Sequence, residues 1–152
     1  SALPSRLNVR KTDAFWDSSA LVPLCVAQGA SAFASRALQS RSVTVWWMTP
    51  IEMVGAFARL FRSEGISRAD LDQALTRLVV LRNRWIEVLP GEQVRELAQL
   101  LIQRHPLRAA DAAQLAAAVV WSRGRPRNRL FISLDGRLAE AASSEGFEVE
   151  AL

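Results

Sequence analysis

Ala14-Phe15-Trp16-Asp17-Ser18-Ser19-Ala20-Leu21 is an apolar run that stops at an aspartate and is followed by two helix-starting hydroxyls. Near the other end of the chain, Leu130-Phe131-Ile132-Ser133-Leu134-Asp135-Gly136-Arg137-Leu138 has the same layout. Each stretch reads as a buried strand that delivers a carboxylate to its C-terminal edge, where a helix begins. In an α/β sheet that edge is where ligands bind.

Working outward, Thr44-Val45-Trp46-Trp47 is β-branched and aromatic and reads as a second strand. Ile86-Glu87-Val88-Leu89, stopped by Pro90-Gly91, reads as a third, and 147–149 as a short last one. Helices are expected between them. The first covers 20–26, capped by Ser18 and Ser19, with Pro23 in its first turns and Gly29 as its breaker. A second spans 31–38. Thr49-Pro50-Ile51-Glu52 is the strongest helix start, with Thr49 as N-cap, Pro50 at the first position and Glu52 completing a capping box. That helix should carry Val54, Phe57, Ala58 and Phe61 on one face and end at Gly65. Ser67 and Asp70 repeat the start, and Leu71, Leu75, Leu78 and Val79 supply the next stripe. Further helices are expected over 92–103, over the alanine-rich 108–122, and over 136–145. Alternating strands and helices imply an α/β fold with a mostly parallel sheet covered on both faces.

The 152 residues suffice for one domain, and half are hydrophobic. Runs such as 129–134 and 44–48 are too short to span a bilayer. Cys25 is the only cysteine, which excludes an internal disulfide and points to a reducing compartment. The expectation is a soluble, cytoplasmic protein with no membrane partner. Formal charge is +4, and 18 of the 19 cations are arginine, whose fork matches phosphate geometry. The excess weakly favours a polyanionic partner without proving one.

Four acids stand apart: Asp17, Glu52, Asp111 and Asp135. Asp17 and Asp135 end strands, while Glu52 and Asp111 lie in the first turns of helices. In a parallel sheet such positions face the same end of the molecule, so the four can converge. Helix capping and dipole stabilisation would account for each one separately. That local reading is weaker for Asp111, because Ala109-Ala110-Asp111-Ala112-Ala113 leaves it the only acid in an apolar run. Converging carboxylates repel one another unless a cation or proton intervenes. An oxygen-rich set selects Mg²⁺ or Mn²⁺, and one cysteine with one histidine does not build a zinc cage. Such a metal can activate water and neutralise a phosphodiester under attack.

With these motifs in order, together with His105-Pro106-Leu107-Arg108-Ala109-Ala110-Asp111-Ala112-Ala113-Gln114-Leu115-Ala116 and Gly146-Phe147-Glu148-Val149, the chain resembles a PIN domain of the VapC-type toxin ribonucleases. The resemblance covers nearly everything after residue 13, so that 1–13 is an N-terminal extension and 14–152 the nuclease domain. It implies a Rossmann-like PIN fold with a central parallel sheet of about five strands flanked by helices. It also implies a Mg²⁺- or Mn²⁺-dependent endoribonuclease that leaves a 5′-phosphate and a 3′-hydroxyl. Catalysis and metal binding map onto Asp17, Glu52, Asp111 and Asp135, with Ser19 and Ser133 supporting the pocket. The expected partners are an RNA substrate, a second copy in a homodimer, and a small antitoxin lying over the cleft. Where members of the family often carry a further acid, this chain has Arg137, which implies a single firmly held metal before substrate arrives.

Arg108, one turn before Asp111, is a candidate phosphate contact. The arginines of 123–129 precede a strand and belong at the opposite end of the sheet, suited to solubility or a partner. His105 is expected to cap or pack, Cys25 to be a small buried hydrophobe, and Trp46, Trp47, Trp85 and Trp121 to fill core or interface. Phe57, Phe61 and the leucines of the following helix are expected to extend into a dimer or antitoxin groove. A DNA- or structure-selective nuclease of the same fold, and an inactive binding module that kept it, remain alternatives. A dinucleotide-binding enzyme is disfavoured, because no Gly-x-Gly-x-x-Gly follows the first strand.

Overall fold

The computed structural model describes residues 10–151. The expected extension over 1–13 therefore lies mostly outside the described residues; within its last part, Thr12 bridges to Arg41. The elements run β1 (Ala14–Trp16), α1 (Ser18–Cys25), α2 (Ser31–Ser40), β2 (Thr44–Trp46), α3 (Thr49–Arg62), α4 (Arg68–Arg82) and β3 (Ile86–Val88), then α5 (Glu92–Arg104), α6 (Ala109–Trp121), β4 (Leu130–Ile132), α7 (Gly136–Ser144) and β5 (Glu148–Glu150). Five parallel strands form one sheet in the order β3-β2-β1-β4-β5.

Period-two alternation divides the core. Ala14, Trp16, Val45, Leu130 and Ile132 face one side, packed with α1 to α4. Phe15, Trp46 and Phe131 face the other, packed with α5 to α7. On that second side Phe15 stacks on Phe131 with centroids 5.6 Å apart, and Phe131 meets Phe147 at 5.6 Å. Alanines 112, 116, 117 and 118 are fully buried, and their small side chains let α6 lie close against the sheet and α5.

The chain leaves β1 toward one edge and β4 toward the other, so these two neighbours mark the topological switch point. Their register aligns Trp16 with Ile132, and the Asp17 amide donates to the Ile132 carbonyl at 3.1 Å. The following residues, Asp17 and Ser133, thereby come side by side. This is the crevice in which open α/β sheets place their ligands.

Several local expectations are corrected. The cap of α1 is Asp17, whose carboxylate accepts from the Ser19 amide, so the serines lie inside the helix. Thr49 is not the N-cap of α3. The helix starts one residue earlier relative to the motif, Met48 is the cap, and no capping box forms because the Thr49 and Glu52 side chains are turned to α6. At its far end the left-handed residue is Glu64 (φ 60), not Gly65. The second box is present as read: Ser67 and Asp70 exchange both bonds.

On α4 the inward residues are Ala74 and Leu78, whereas Leu75 and Val79 are exposed. The helix is apolar on more than one side, and the small Ala74 selects the face that packs closest to α1 and α3. Phe57 is fully buried, so it belongs to the core and is not available to a groove. Cys25, Trp46 and Trp85 are buried as expected, while Trp47 is exposed. Among the described residues no helix is long and apolar enough to cross a membrane.

Candidate functional site

At the C-terminal edge of the sheet, Glu52, Asp111 and Asp135 line one cavity of about 580 Å³. Ser19, Gly55, Arg59 and Arg108 share its wall. Asp17 is not on that wall. It lies 2 % exposed beside it, close enough for its charge to be felt at Glu52 and to feel that of Asp135. The four acids thus gather at one end of the sheet, three at the surface and one beneath.

Each is held by its local element. Asp17 follows β1, where its two oxygens accept from the Ser19 amide and the Ser133 hydroxyl. Ser133 also accepts from the Asp135 amide at 3.0 Å, and the Ser19 hydroxyl accepts from the Leu134 amide at 2.9 Å. One hydroxyl network therefore joins the ends of β1 and β4. Asp135 caps α7, its Oδ1 accepting from the Leu138 amide at 3.1 Å. For Asp17 and Asp135 the capping role is real, and it leaves Asp135 Oδ2 uncommitted.

Glu52 is oriented across the molecule. Gln114 Nε2 donates to Glu52 Oε2 at 2.6 Å and to Thr49 Oγ1 at 3.1 Å. Gln114 is 1 % exposed, and its Oε1 has no partner among the described residues. Reading the sequence residue by residue missed this side chain. The available signal was its place three residues after Asp111, one helical turn on, as the only uncharged polar residue in an alanine-rich helix.

Burial pushes Asp17 up to about 6, against the pull of the Ser133 and Ser19 hydrogen bonds and with the Asp135 charge adding to the rise. Glu52 is pushed up to about 7, by burial first, opposed by Gln114 and reinforced by Asp17 and Asp111. Asp111 is raised by burial and by Asp135, and Arg108 opposes the rise. None of the described ion pairs involves these acids. Clustered carboxylates whose ionisation is this unfavourable form a donor set short of positive charge, which a hard divalent cation fits. Among the described residues no three acidic, histidine or cysteine side chains stand close enough to enclose an ion directly.

Elsewhere, His105 Nε2 stands 3.3 Å from the Glu145 carboxylate, does not line this cavity, and packs at the turn after α5. Arg129 stacks over Trp121, its guanidinium 4.0 Å from the ring.

No protein-family model matches the chain, and no curated protein matches it. Solved structures do share its fold. A chain of VapBC2 from Rickettsia felis, solved bound to a DNA fragment from their promoter, superposes with a TM-score of 0.64 at 9% identity over 93% of this chain and 99% of that one. PAE2754 from Pyrobaculum aerophilum gives 0.63 at 18% identity over 93% and 92%. A toxin–antitoxin complex from Klebsiella pneumoniae gives 0.57 at 16% identity over 83% and 90%. At these identities the likeness establishes a common fold.

Proposed function

We propose that this chain is a Mg²⁺- or Mn²⁺-dependent endoribonuclease of the PIN, VapC-like type, acting in the cytoplasm as the toxin of a toxin–antitoxin pair. The observation that carries the reading is the gathering of Asp17, Glu52, Asp111 and Asp135 at the switch point of a parallel sheet, where among the described residues none of the four forms an ion pair. The shared fold with toxin–antitoxin proteins supports the class, and the arginine-rich composition suits a phosphate-bearing substrate.

Asp17, Asp111 and Asp135 would hold the cation, directly or through water, with Glu52 ligating it or serving the attacking water. When bound, the cation neutralises the phosphodiester and lowers the pKa of water for attack on phosphorus. The protein's own groups do the rest. Ser133 and Ser19 fix Asp17, and Gln114 fixes Glu52 with one carboxylate oxygen left free. A carboxylate held near 7 is matched to accept a proton from water at neutral pH. Arg108, on the cavity wall, would pair with a substrate phosphate.

The chain is further proposed to form a homodimer and to be silenced by a small antitoxin. The exposed Ile51 and Val54 of α3 and Leu75, Val79 and Val80 of α4 supply apolar surface for such contacts. Mass in solution and binding of an apolar helical peptide test this.

A binding module that kept the fold is the second reading, since among the described residues no three ligating side chains form a tight cage. One experiment separates the two. Purified protein is incubated with labelled RNA and DNA, with Mg²⁺, with Mn²⁺ and with EDTA. Metal-dependent cutting of RNA and not DNA is expected; binding without cutting under all conditions would favour the module, and cutting of DNA would favour the DNA-directed alternative.

A further inference from the structure

The acidic cavity does not end at the acids. A second depression of about 400 Å³ shares Val22, Gln28, Ala56 and Arg59 with it and continues past Leu60 and Ser63. The two form one trough along the seam between α1 and α3. Glu52, Gly55, Ala56 and Arg59 follow one another at helical spacing along its floor. Glycine and alanine keep that floor low. A Cβ at Gly55 would stand 3.4 Å from Arg59 Nη1, so the guanidinium lies back over Gly55 toward the Glu52 end, as long helical side chains do.

Arg59 is exposed, and among the described residues it pairs with no carboxylate. Beyond it the trough changes character. Val22, Ala56 and Leu60 form an apolar wall, while Gln28 and Ser63 stand at the exposed rim. The Ser63 hydroxyl donates to the Leu60 carbonyl at 3.1 Å and keeps its acceptor capacity for another group. A cation beside an apolar wall with amide and hydroxyl groups at its edge matches a nucleotide: phosphate on the fork, base face on the wall, base edge at the rim.

We propose that this extension is a nucleotide subsite for single-stranded RNA next to the cleaved bond, in which Arg59 binds the neighbouring phosphate and the Val22–Ala56–Leu60 wall takes the base. The inference rests on the RNA-cutting reading above and names where the strand leaves the acids. A single strand with its base turned out is the form in which proteins read RNA bases. Arg108 lies on the acidic cavity and does not line the extension, so the two arginines serve different phosphates.

The test uses the intact protein with Mn²⁺ and two series of short oligoribonucleotides, trimmed one nucleotide at a time from either side of the mapped cut. Wild type, Arg59→Ala, Arg59→Lys and Ala56→Phe are compared, with Asp135→Asn as the inactive control and circular dichroism to verify folding. Arg59→Ala is expected to raise KM by about 10- to 100-fold with little change in kcat and to lower the salt slope of binding by about 1. Arg59→Lys should recover part of the loss. In one trimming series, shortening the strand to the nucleotide beside the cut, which removes the neighbouring phosphate and leaves the cleaved bond, should cost wild type a similar factor and cost Arg59→Ala almost nothing further. Ala56→Phe, which fills the wall, should change the base preferred at that same position.

Unchanged KM and salt slope in folded Arg59→Ala, or additive losses in both trimming series, would overturn the subsite while wild-type cutting left the nuclease reading standing. A wild type that neither cuts nor binds RNA would overturn both.

Discussion

A buried glutamine that donates from one amide nitrogen to Thr49 and Glu52 sets the direction of the Glu52 carboxylate. Gln114→Leu removes that donor. Because the Gln114 bond holds the Glu52 pKa down, its loss should move the acidic limb of the pH–rate profile upward, and it should cost about 1–3 kcal/mol of stability in urea unfolding. A folded variant with an unmoved limb would mean that Gln114 only packs. Among the described residues Asp111 accepts no hydrogen bond and Asp135 keeps one oxygen free, so these two acids are the least committed to structure. Asp111→Asn and Asp135→Asn are expected to abolish cleavage with melting temperatures near wild type, Asp135 losing a little through its cap. The acids themselves were legible in the sequence, because each sits where a strand ends or a helix begins. Gln114 was not, since its partner is 62 residues away and no local pattern encodes that contact.

Helix ends show how far a local motif can be trusted. Ser67 and Asp70 have no competing partner and form the box that their spacing implies. Thr49 and Glu52 have the same spacing, yet Gln114 takes both side chains and Met48 caps the helix instead. Ser67→Ala should therefore cost about 1 kcal/mol without touching cleavage, measured by denaturant titration alongside an activity assay. At the end of α3 the chain turns through Glu64 at φ 60, with the Gly65 amide donating to the Leu60 carbonyl at 2.8 Å. A glycine at the left-handed position relieves strain, so Glu64→Gly is expected to stabilise by up to about 1 kcal/mol; destabilisation of that size would count against the turn as described. The strand positions were readable from β-branched and aromatic runs, whereas the inward face of α4 was not. Its side chains are apolar on several sides, and only packing against α1 and α3 distinguishes Ala74 and Leu78 from Leu75 and Val79.

At the scale of the whole molecule, the order β3-β2-β1-β4-β5 brings residues more than a hundred positions apart to one crevice and leaves them short of positive charge. That imbalance sets a pH dependence. Asp17 and Glu52 titrate near 6 and 7 in the folded chain, above their ordinary values of 3.8 and 4.5. As pH falls from about 8 to about 5, the folded state takes up protons that the unfolded state does not, so stability rises. The metal-free protein should gain on the order of 5 °C in melting temperature across that window, and Asp17→Asn should gain less; a steady fall on acidification would contradict it. Below that range Asp70, held under its ordinary value by Ser67, begins to lose its contribution, and the trend turns. The central claim is that the four acids form one cation site. Its most direct test is calorimetric titration of the metal-free protein with Mn²⁺ at pH 8. Saturable binding, lost or strongly weakened in Asp111→Asn and in Asp135→Asn, is the expected result. No binding by wild type, or equal binding by wild type and both variants, would contradict it.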